Sequence, residues 1–206
     1  MFFRRSPLLF WTLSCLVIVS GCRSSRPITT QKLMQNRDRL AAITLTDQHG
    51  HEFSPSSLKG RFALFDFIYT SCPGECLLTT ARMARVAKSL GSLVGPRLTL
   101  VSVTVDPEHD GPAQLLHFAR SEGVDTPNWF FLTGAPEKIE QVLKDFNLPR
   151  ERQPDGVIDH VTYCFLIGPD GREAAMYDPT RASSEAIAKA IKAAMVRSEI
   201  EIAADR

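Results

Sequence analysis

Residues 62–76 read FALFDFIYTSCPGEC, and this stretch decides how the rest of the chain is interpreted. The segment 62–69 is almost continuously apolar and rich in β-prone residues, which is typical of a strand buried on both faces of a sheet. The loop that follows carries Cys72 and Cys76, and a helical pattern runs from there to about residue 90. The sequence therefore predicts a central strand, a cysteine-bearing turn and a helix in direct succession.

Strands and helices alternate along the rest of the chain. Further strands are predicted at residues 43–46, 98–105, 129–132, 161–167 and 173–177, and helices at 112–119, after Pro136 and at about 183–196. Alternation of this kind predicts a sheet covered by helices on both faces. A cysteine pair between the first long strand and its helix, with a β-hairpin and a helix at the end, resembles the thioredoxin fold. The predicted fold class is α/β, a thioredoxin-like fold with an N-terminal β-hairpin and an inserted βα unit.

The composition limits the possible classes of protein. The 206 residues are 44% hydrophobic and 23% charged, close to the average for globular proteins, which excludes a disordered, collagen-like or polytopic membrane chain. The chain has 24 basic and 23 acidic residues, so its net charge of +1 argues against an extended nucleic-acid surface. We therefore expect a single folded domain that binds no nucleic acid.

The N-terminal residues predict export and lipid attachment. Arg4 and Arg5 precede an uncharged apolar run at 8–20, which is typical of a secretory signal and short for a membrane-spanning helix. The run ends in VSGC at 19–22, which resembles a bacterial lipobox. In such signals the chain is cleaved before the cysteine, whose sulfur carries a diacylglyceryl group. An uncleaved apolar anchor is the alternative.

Three segments are predicted on this basis. Residues 1–21 are expected to be a lipoprotein signal peptide, residues 22–41 a polar tether, and residues 42–200 the thioredoxin-like domain. The mature protein is expected to be exported to the periplasmic side of a bacterial membrane, where a lipid at Cys22 anchors it.

Export narrows the roles open to the cysteines, because unpaired thiols in an oxidising compartment become oxidised, bind metal or are buried. Without the signal peptide and Cys22, the chain retains Cys72, Cys76 and Cys164, an odd number that cannot all pair with one another. Cys164 lies in a predicted strand and is expected in the core. Cys72 and Cys76 lie at the N-terminus of a predicted helix, whose partial positive charge favours the thiolate that attacks disulfides and binds soft metals.

Three residues separate Cys72 from Cys76, one more than in the redox motifs of thioredoxins. The wider spacing allows both sulfurs to contact one metal ion, while a disulfide between them remains geometrically possible. A permanent surface disulfide is therefore an alternative. Peroxide reduction is not expected, because Phe65 and Tyr69 occupy the positions where peroxiredoxins usually have Pro and Thr.

Among the five histidines, His160 is the candidate metal ligand. It lies in a predicted loop before the strand at 161–167, where thioredoxins have a cis-proline that faces the cysteine pair. A neutral imidazole opposite two thiolates would make a three-coordinate site suited to reduced copper. The alternative is a histidine with only a structural role at the start of a strand.

The chain resembles the Sco/SenC family of copper proteins, which assist the assembly of cytochrome c oxidase. The matching stretches are FIYTSCPGEC at 67–76, VTVDPEHD at 103–110, DH at 159–160 and LIGPDG at 166–171. This resemblance implies that Cys72, Cys76 and His160 bind one copper ion, Cu(I) or Cu(II), within a copper-binding domain at 42–200. It also implies that the protein is a metallochaperone, which delivers copper to the dinuclear copper site of the oxidase or prepares that site.

The resemblance further implies a partner and a supporting residue. The expected partner is the copper-bearing subunit of cytochrome c oxidase or another exported cuproprotein. Asp106 and Asp110 follow a predicted strand at the sheet edge that carries the cysteines, and in the family such an aspartate is thought to influence the metal from outside the ligand set. Capping of the loop and helix before Pro112 is the alternative role. Leu77 and Gly111 depart from the family pattern, which often has Pro and Thr at these positions.

Two functions remain open at the level of sequence. The protein is either a copper metallochaperone or a thiol–disulfide oxidoreductase that keeps exported cysteines reduced. In the second case Cys72 attacks as the more exposed thiolate and Cys76 resolves the mixed disulfide. His160 discriminates between the two functions, because only copper binding requires it. A zinc site is a further alternative, but zinc usually takes four ligands and the sequence offers three.

Overall fold

The computed structural model describes residues 43–160 and 162–204. The predicted signal peptide, the lipid-attachment residue Cys22 and the tether lie outside the described residues, as does Val161 in a predicted strand. The last helix continues to Ala204 and so passes the predicted domain boundary at residue 200.

Strands and helices alternate as the sequence predicts. The strands of the described residues are β1 (Leu45–Thr46), β2 (Glu52–Phe53), β3 (Phe62–Ile68), β4 (Leu98–Thr104), β5 (Trp129–Leu132), β6 (Arg150–Arg152), β7 (Ile158–His160), β8 (Cys164–Ile167) and β9 (Glu173–Tyr177). The α-helices are α1 (Glu75–Leu90), α2 (Pro112–Ser121), α3 (Pro136–Asp145) and α4 (Ser184–Ala204). No helix in this part of the chain is long and apolar enough to cross a lipid bilayer.

The central sheet has five strands in the order β5-β4-β3-β8-β9. β3 runs parallel to β4 and antiparallel to β8, so that Phe65 lies opposite Val101 on one side and Phe165 on the other. β1 and β2 form the predicted N-terminal hairpin, and β6 and β7 form a further two-stranded sheet beside the central one. The predicted α/β, thioredoxin-like fold class is confirmed.

A cluster of phenylalanines packs on one face of the central sheet. The ring of Phe146, just after α3, lies 5.1 Å from Phe65, 5.0 Å from Phe67 and 5.1 Å from Phe165, measured between ring centroids. Tilted and edge-on pairs of this kind contribute about 0.5–1.5 kcal/mol each beyond the burial of their area. Every position of β3 and β4 is buried, which explains the continuous apolar run that predicts β3.

Helices α1 and α4 pack together on the opposite face. Cys164 precedes Phe165 in β8 and therefore points away from the phenylalanine cluster. Its Sγ lies 3.4 Å from the Sδ of Met83 on α1, and both residues are buried. Cys164 is therefore the core residue that the sequence predicts, and burial raises the pKa of its thiol well above the ordinary value.

The largest difference from the sequence prediction concerns the region around His160. A single strand is predicted at 161–167, whereas the structure has β8 in the central sheet and, before it, β7 paired with β6. His160 thus lies at the end of a strand and not in a loop. The β6–β7 hairpin buries little besides Ile158, which is 3% exposed, so it has no apolar periodicity by which it could be predicted.

The last helix also differs from its prediction, because α4 ends at Ala204, eight residues beyond the predicted end at about residue 196. Val196, at the predicted end, is 57% exposed, and Ile200, beyond it, is 65% exposed. The final turns of α4 therefore leave the core, and the pattern that predicts the helix stops where the burial stops.

Candidate metal centre

The cysteine loop joins the carboxyl end of β3 to the first turn of α1. Gly74 immediately precedes α1 with φ of 155°, a backbone conformation that residues with a side chain rarely adopt. Glycine at this position therefore allows the sharp change of direction between the two cysteines. As a result Cys72 lies just before the helix and Cys76 in its first turn, as the sequence predicts.

The two cysteines are free thiols, and both lie at the N-terminal end of α1. The backbone N–H of Cys76 donates to the Sγ of Cys72 at 3.3 Å. Cys72 is half-buried and packs against the core, whereas Cys76 is only 1% exposed. Cys72 is thus the more accessible sulfur and Cys76 the sulfur beneath it.

The environment moves the pKa values of these thiols in opposite directions. Burial by itself would raise the pKa of Cys72, but hydrogen bonds from the Cys76 thiol, from the N–H groups of Cys76 and Gly74, and from Tyr69 outweigh it and lower the pKa. Burial, followed by the hydrogen bond to Cys72, raises the pKa of Cys76 far above its ordinary value. Cys72 is therefore the first of the pair to become a thiolate.

His160 reaches the cysteine loop from β7. Its Nε2 lies 3.9 Å from the Sγ of Cys76, although the two residues are 84 positions apart in the sequence. The ring of Tyr69 meets the imidazole edge-on at 5.8 Å, and the Tyr69 hydroxyl accepts a hydrogen bond from the N–H of Ile158 at 3.3 Å. Burial raises the pKa of Tyr69 to about 12, so this hydroxyl stays protonated.

The residues present fit a soft metal ion. In a trigonal site, a metal–sulfur bond of about 2.3 Å and a metal–nitrogen bond of about 2.0 Å set the two ligand atoms about 3.7 Å apart. The 3.9 Å between Cys76 and His160 agrees with that separation. Two thiolates and an imidazole suit copper. A ready-made group of three or more His, Cys, Asp or Glu side chains is nevertheless absent from residues 43–160 and 162–204.

Asp110 contacts the start of the cysteine loop. It is 1% exposed and accepts hydrogen bonds from the backbone N–H of Thr70 at 2.9 Å, from the Thr70 hydroxyl at 2.5 Å and from the Thr104 hydroxyl at 2.6 Å. These bonds connect the end of β4 to the segment that leads into Cys72. Asp110 therefore contacts a residue two positions from a candidate ligand.

Asp106 lies just after β4 and contacts the β6–β7 hairpin. Its buried Oδ1 lies 2.9 Å from the Nδ1 of His109 and accepts a hydrogen bond from the Nη2 of Arg152 at 2.5 Å. Burial opposes ionisation of Asp106, but His109 and Arg152 outweigh it and lower the pKa of the carboxyl. Asp106 thereby connects the end of β4 to β6, the partner of the strand that carries His160.

Sequence reasoning missed Tyr69, Arg150 and Arg152 as residues of this site. Arg150 and Arg152 are two positions apart on β6, and Arg150 lies directly opposite His160 in the hairpin. The alternation of arginines in Arg150-Glu151-Arg152 is the sequence feature that could have indicated a role for both residues. Their partners lie far away along the chain, and no local pattern reveals such pairs.

Comparison with known proteins gives the family context of this geometry. The SCO1/SenC family model matches residues 31–196. The chain is 36% identical over 139 residues to the SCO1 protein homolog of Bacillus subtilis, covering 66% of this chain and 72% of that protein. It is 31% identical over 176 residues to a protein of Stutzerimonas stutzeri named for copper binding, covering 81% of this chain and 83% of that protein.

Solved structures agree with these likenesses. Bradyrhizobium japonicum ScoI with copper bound has a TM-score of 0.65 at 27% identity, covering 74% of this chain and 97% of that chain. A SCO1/SenC family lipoprotein of Bacillus anthracis has a TM-score of 0.66 at 32% identity, covering 72% and 90%. BsSco, a member of the Sco family of cytochrome c oxidase assembly proteins with a disulfide switch, has a TM-score of 0.63 at 35% identity, covering 73% and 90%.

Proposed function

The chain belongs to the SCO1/SenC family, and we propose that Cys72, Cys76 and His160 are the ligands through which it binds one copper ion. Copper is its cofactor, in keeping with the copper-bound relative from Bradyrhizobium japonicum and the copper-binding relative from Stutzerimonas stutzeri. In this proposal the ion, Cu(I) or Cu(II), is a cargo. The protein delivers it to the dinuclear copper site of cytochrome c oxidase or prepares that site.

The contact between His160 and Cys76 is the observation that carries this proposal. The sequence separates the two residues by 84 positions, yet the imidazole Nε2 and the sulfur are 3.9 Å apart. A histidine with only a structural role at a strand end has no need to face a thiol. A donor set of two sulfurs and one imidazole nitrogen favours copper over the harder divalent ions.

The two thiols contribute differently to metal binding. Cys72, with its lowered pKa, offers a thiolate near neutral pH. The buried Cys76 thiol, with its raised pKa, must lose its proton when it becomes a ligand. Copper binding therefore releases a proton mainly from Cys76, and we expect the affinity for copper to rise with pH.

The proposed partner is the copper-bearing subunit of cytochrome c oxidase or another exported cuproprotein. Support comes from BsSco, which is described as a cytochrome c oxidase assembly protein. Of the two candidate sulfur ligands, the half-buried Cys72 is the one that an incoming protein reaches first, because Cys76 is almost fully buried. We therefore expect transfer of copper to begin by exchange at Cys72.

Thiol–disulfide exchange is the second candidate function. The opposite pKa shifts of the two cysteines suit an attacking thiolate at Cys72 and a resolving thiol at Cys76. The disulfide switch of BsSco favours the same idea. The two functions exclude each other at any one moment, because a cysteine pair oxidised to a disulfide has no thiolate for copper.

A copper titration of purified variants tests the ligand set. We expect one Cu(II) per chain and an intense sulfur-to-copper charge-transfer band. Cys72→Ser and Cys76→Ser should abolish this band, whereas Cys164→Ala, which changes a thiol buried elsewhere in the core, should retain it. A serine variant at either site with the full band of the wild type would refute the proposed ligands.

His160→Ala separates the two candidate functions. The variant removes the nitrogen ligand but leaves both sulfurs and the helix end that activates Cys72. Copper affinity should fall by at least about tenfold, since loss of mere supporting residues costs ~10–100-fold. The rate of exchange with a model disulfide should change much less. The matched control is His117→Ala, which changes an exposed histidine of α2. Unchanged copper affinity with slowed exchange would favour the oxidoreductase.

Export and lipid anchoring complete the proposal. Residues 1–21 are proposed as a lipoprotein signal peptide, 22–41 as a tether and 42–200 as the copper-binding domain. The Bacillus anthracis neighbour, named a lipoprotein, supports export to the periplasmic side of a bacterial membrane and attachment through Cys22. Cys22→Ser should release the protein from membranes and leave copper binding unchanged. Wild-type protein that is soluble without detergent would contradict the anchor.

A further inference from the structure

The strand that carries His160 belongs to a small sheet of its own. β6 and β7 pair only with each other, with Arg150 opposite His160 and Arg152 opposite Ile158. An isolated two-stranded hairpin is at best marginally stable in water. Contacts with the rest of the protein must therefore determine where this hairpin, and with it His160, lies.

Two arginines of β6 contact the rest of the protein. The Nη2 of Arg152 donates to the Oδ1 of Asp106 at 2.5 Å. Arg150 donates through Nη1 to the backbone carbonyl of Val105, and through Nε to the Oε1 of Glu140 at 2.6 Å. Because the arginines are two positions apart on a strand, both side chains extend from the same face of the hairpin.

The partners of these arginines lie at the carboxyl end of β4 and on α3. Asp106 and Val105 directly follow β4, and this strand pairs with β3, which leads into the cysteine loop. The hairpin is thus fastened to the same edge of the sheet that positions Cys72 and Cys76. A third contact is the hydrogen bond from the N–H of Ile158 to the Tyr69 hydroxyl.

Each arginine contact joins one buried and one exposed side chain. The side chain of Asp106 is 2% exposed and that of its partner Arg152 is 41% exposed, whereas the side chain of Arg150 is 16% exposed and that of its partner Glu140 is 54% exposed. A buried carboxylate such as that of Asp106 depends on its partners, because an unpaired buried charge is strongly unfavourable. Asp106 would lose its partner on β6 if the hairpin moved away, so its contact with Arg152 favours the observed position of the hairpin.

We propose that Arg150 and Arg152 are positioning residues, which hold the β6–β7 hairpin against the end of β4 and thereby set the distance between His160 and Cys76. The consequence for copper depends on the ligand set proposed above. The position of the hairpin is a property of the metal-free protein and is independent of that proposal.

The test compares Arg152→Ala, Arg152→Lys and Arg150→Ala with Arg97→Ala as a matched control. Arg97 is 46% exposed and pairs with Glu199, much as the 41% exposed Arg152 pairs with Asp106, but it lies before the opposite end of β4. Lysine at 152 retains a charge that can reach Asp106, so it should rescue much of the effect of alanine. Each variant is examined for amide hydrogen exchange without copper and for copper affinity.

We expect Arg152→Ala and Arg150→Ala to speed exchange about tenfold or more at the amide of Ile158, which donates to the Tyr69 hydroxyl, with β3 and β4 unaffected. Copper affinity should fall about 10–100-fold, the range found when residues behind a ligand are removed. Arg97→Ala should match the wild type in both measurements. Wild-type exchange and wild-type copper affinity in both arginine variants would overturn the proposal.

The two measurements separate this inference from the proposed function. If the wild type itself fails to bind copper, the ligand assignment fails, and hydrogen exchange alone decides the inference. Faster exchange in the hairpin of Arg152→Ala, with Arg97→Ala unchanged, would still support the positioning role. Equal rates of hairpin amide exchange in Arg152→Ala and Arg97→Ala would refute the positioning role.

Discussion

The cysteine loop and the β6–β7 hairpin bring their ligands to the candidate site by different physical means. The loop is an extension of β3, a strand buried at every position, and of α1, which packs on the central sheet. The hairpin lies outside that sheet and is held by arginine contacts, one tyrosine hydroxyl and the side chain of Ile158. Two candidate ligands are therefore fixed by hydrophobic packing, whereas the third depends on polar contacts and one buried isoleucine. Changes in the core should affect the whole fold, and changes at the arginines should affect His160.

The largest effect is expected from Phe146→Ala, which removes the central ring of the phenylalanine cluster. Phe146 is 1% exposed and contacts three other rings, so its loss should lower the free energy of unfolding by about 3–5 kcal/mol. Urea denaturation measures this change, with the exposed Val196→Ala as control. Molecules that remain folded should bind copper as the wild type does. If folded Phe146→Ala protein lost copper binding selectively, the core would also control the position of His160, which would contradict this contrast.

Asp66 should make the stability of the core depend on pH. It is buried in β3, its Oδ1 accepts a bond from the Ser102 hydroxyl at 2.5 Å, and its Oδ2 has no hydrogen-bond partner among the described residues. Burial raises the pKa of this carboxyl from 3.8 to about 7. Because the folded-state pKa is the higher one, the contribution to stability is fully present below pH ~4 and is lost as the pH rises through about 7.

Between pH 4 and pH 7, ionisation of Asp66 should lower the free energy of unfolding by on the order of 4 kcal/mol, at about 1.4 kcal/mol per pKa unit. Asp66→Asn should remove this slope in urea denaturation. Ser102→Ala provides a second check, because loss of its hydrogen bond should raise the pKa of Asp66 and move the slope to higher pH. An Asp66→Asn variant with the pH dependence of the wild type would contradict the assignment.

A smaller effect of opposite sign is expected from Asp106 at the hairpin. His109 and Arg152 lower the pKa of this carboxyl, so its contribution is present above the unfolded value of 3.8 and is lost as the pH falls through the folded value. Since Arg152 is 41% exposed, we expect Asp106 to contribute only about 1 kcal/mol to the free energy of unfolding. Asp106→Asn should reduce the hydrogen-exchange protection of Ile158 at pH 7, whereas Glu108→Gln should have little effect. Equal protection in the two variants would show that Asp106 does not hold the hairpin.

The same contrast explains what could be predicted from the sequence. β3, β4 and β5 are close to their predicted bounds, because burial on both faces leaves a continuous apolar run. Cys72 and Cys76 are candidate ligands because of their place at the start of a helix. His160 is a candidate because of its position before a strand and the family resemblance, since nothing local distinguishes it from the other histidines.

The support of His160 could not be predicted, because it consists of contacts between distant segments. Arg152 and Asp106 are 46 positions apart, and Arg150 and Val105 are 45 positions apart. Charged residues in a short, mostly exposed hairpin are typical of any solvated loop, and only the fold brings them beside the end of β4. The contacts of Tyr69 with Ile158 and His160 could not be predicted either, because an aromatic residue is equally typical of the apolar run that predicts β3.

X-ray absorption at the copper K-edge tests the central claim most directly, because it reports the ligand atoms themselves. For the Cu(I)-loaded wild type, the proposed ligands predict two sulfur atoms at about 2.3 Å and one nitrogen at about 2.0 Å, by analogy with other thiolate and imidazole sites. His160→Ala should retain the sulfur shell and lose the imidazole nitrogen, while His117→Ala should retain both. A spectrum of His160→Ala that is identical to that of the wild type would contradict the assignment of His160 as a copper ligand.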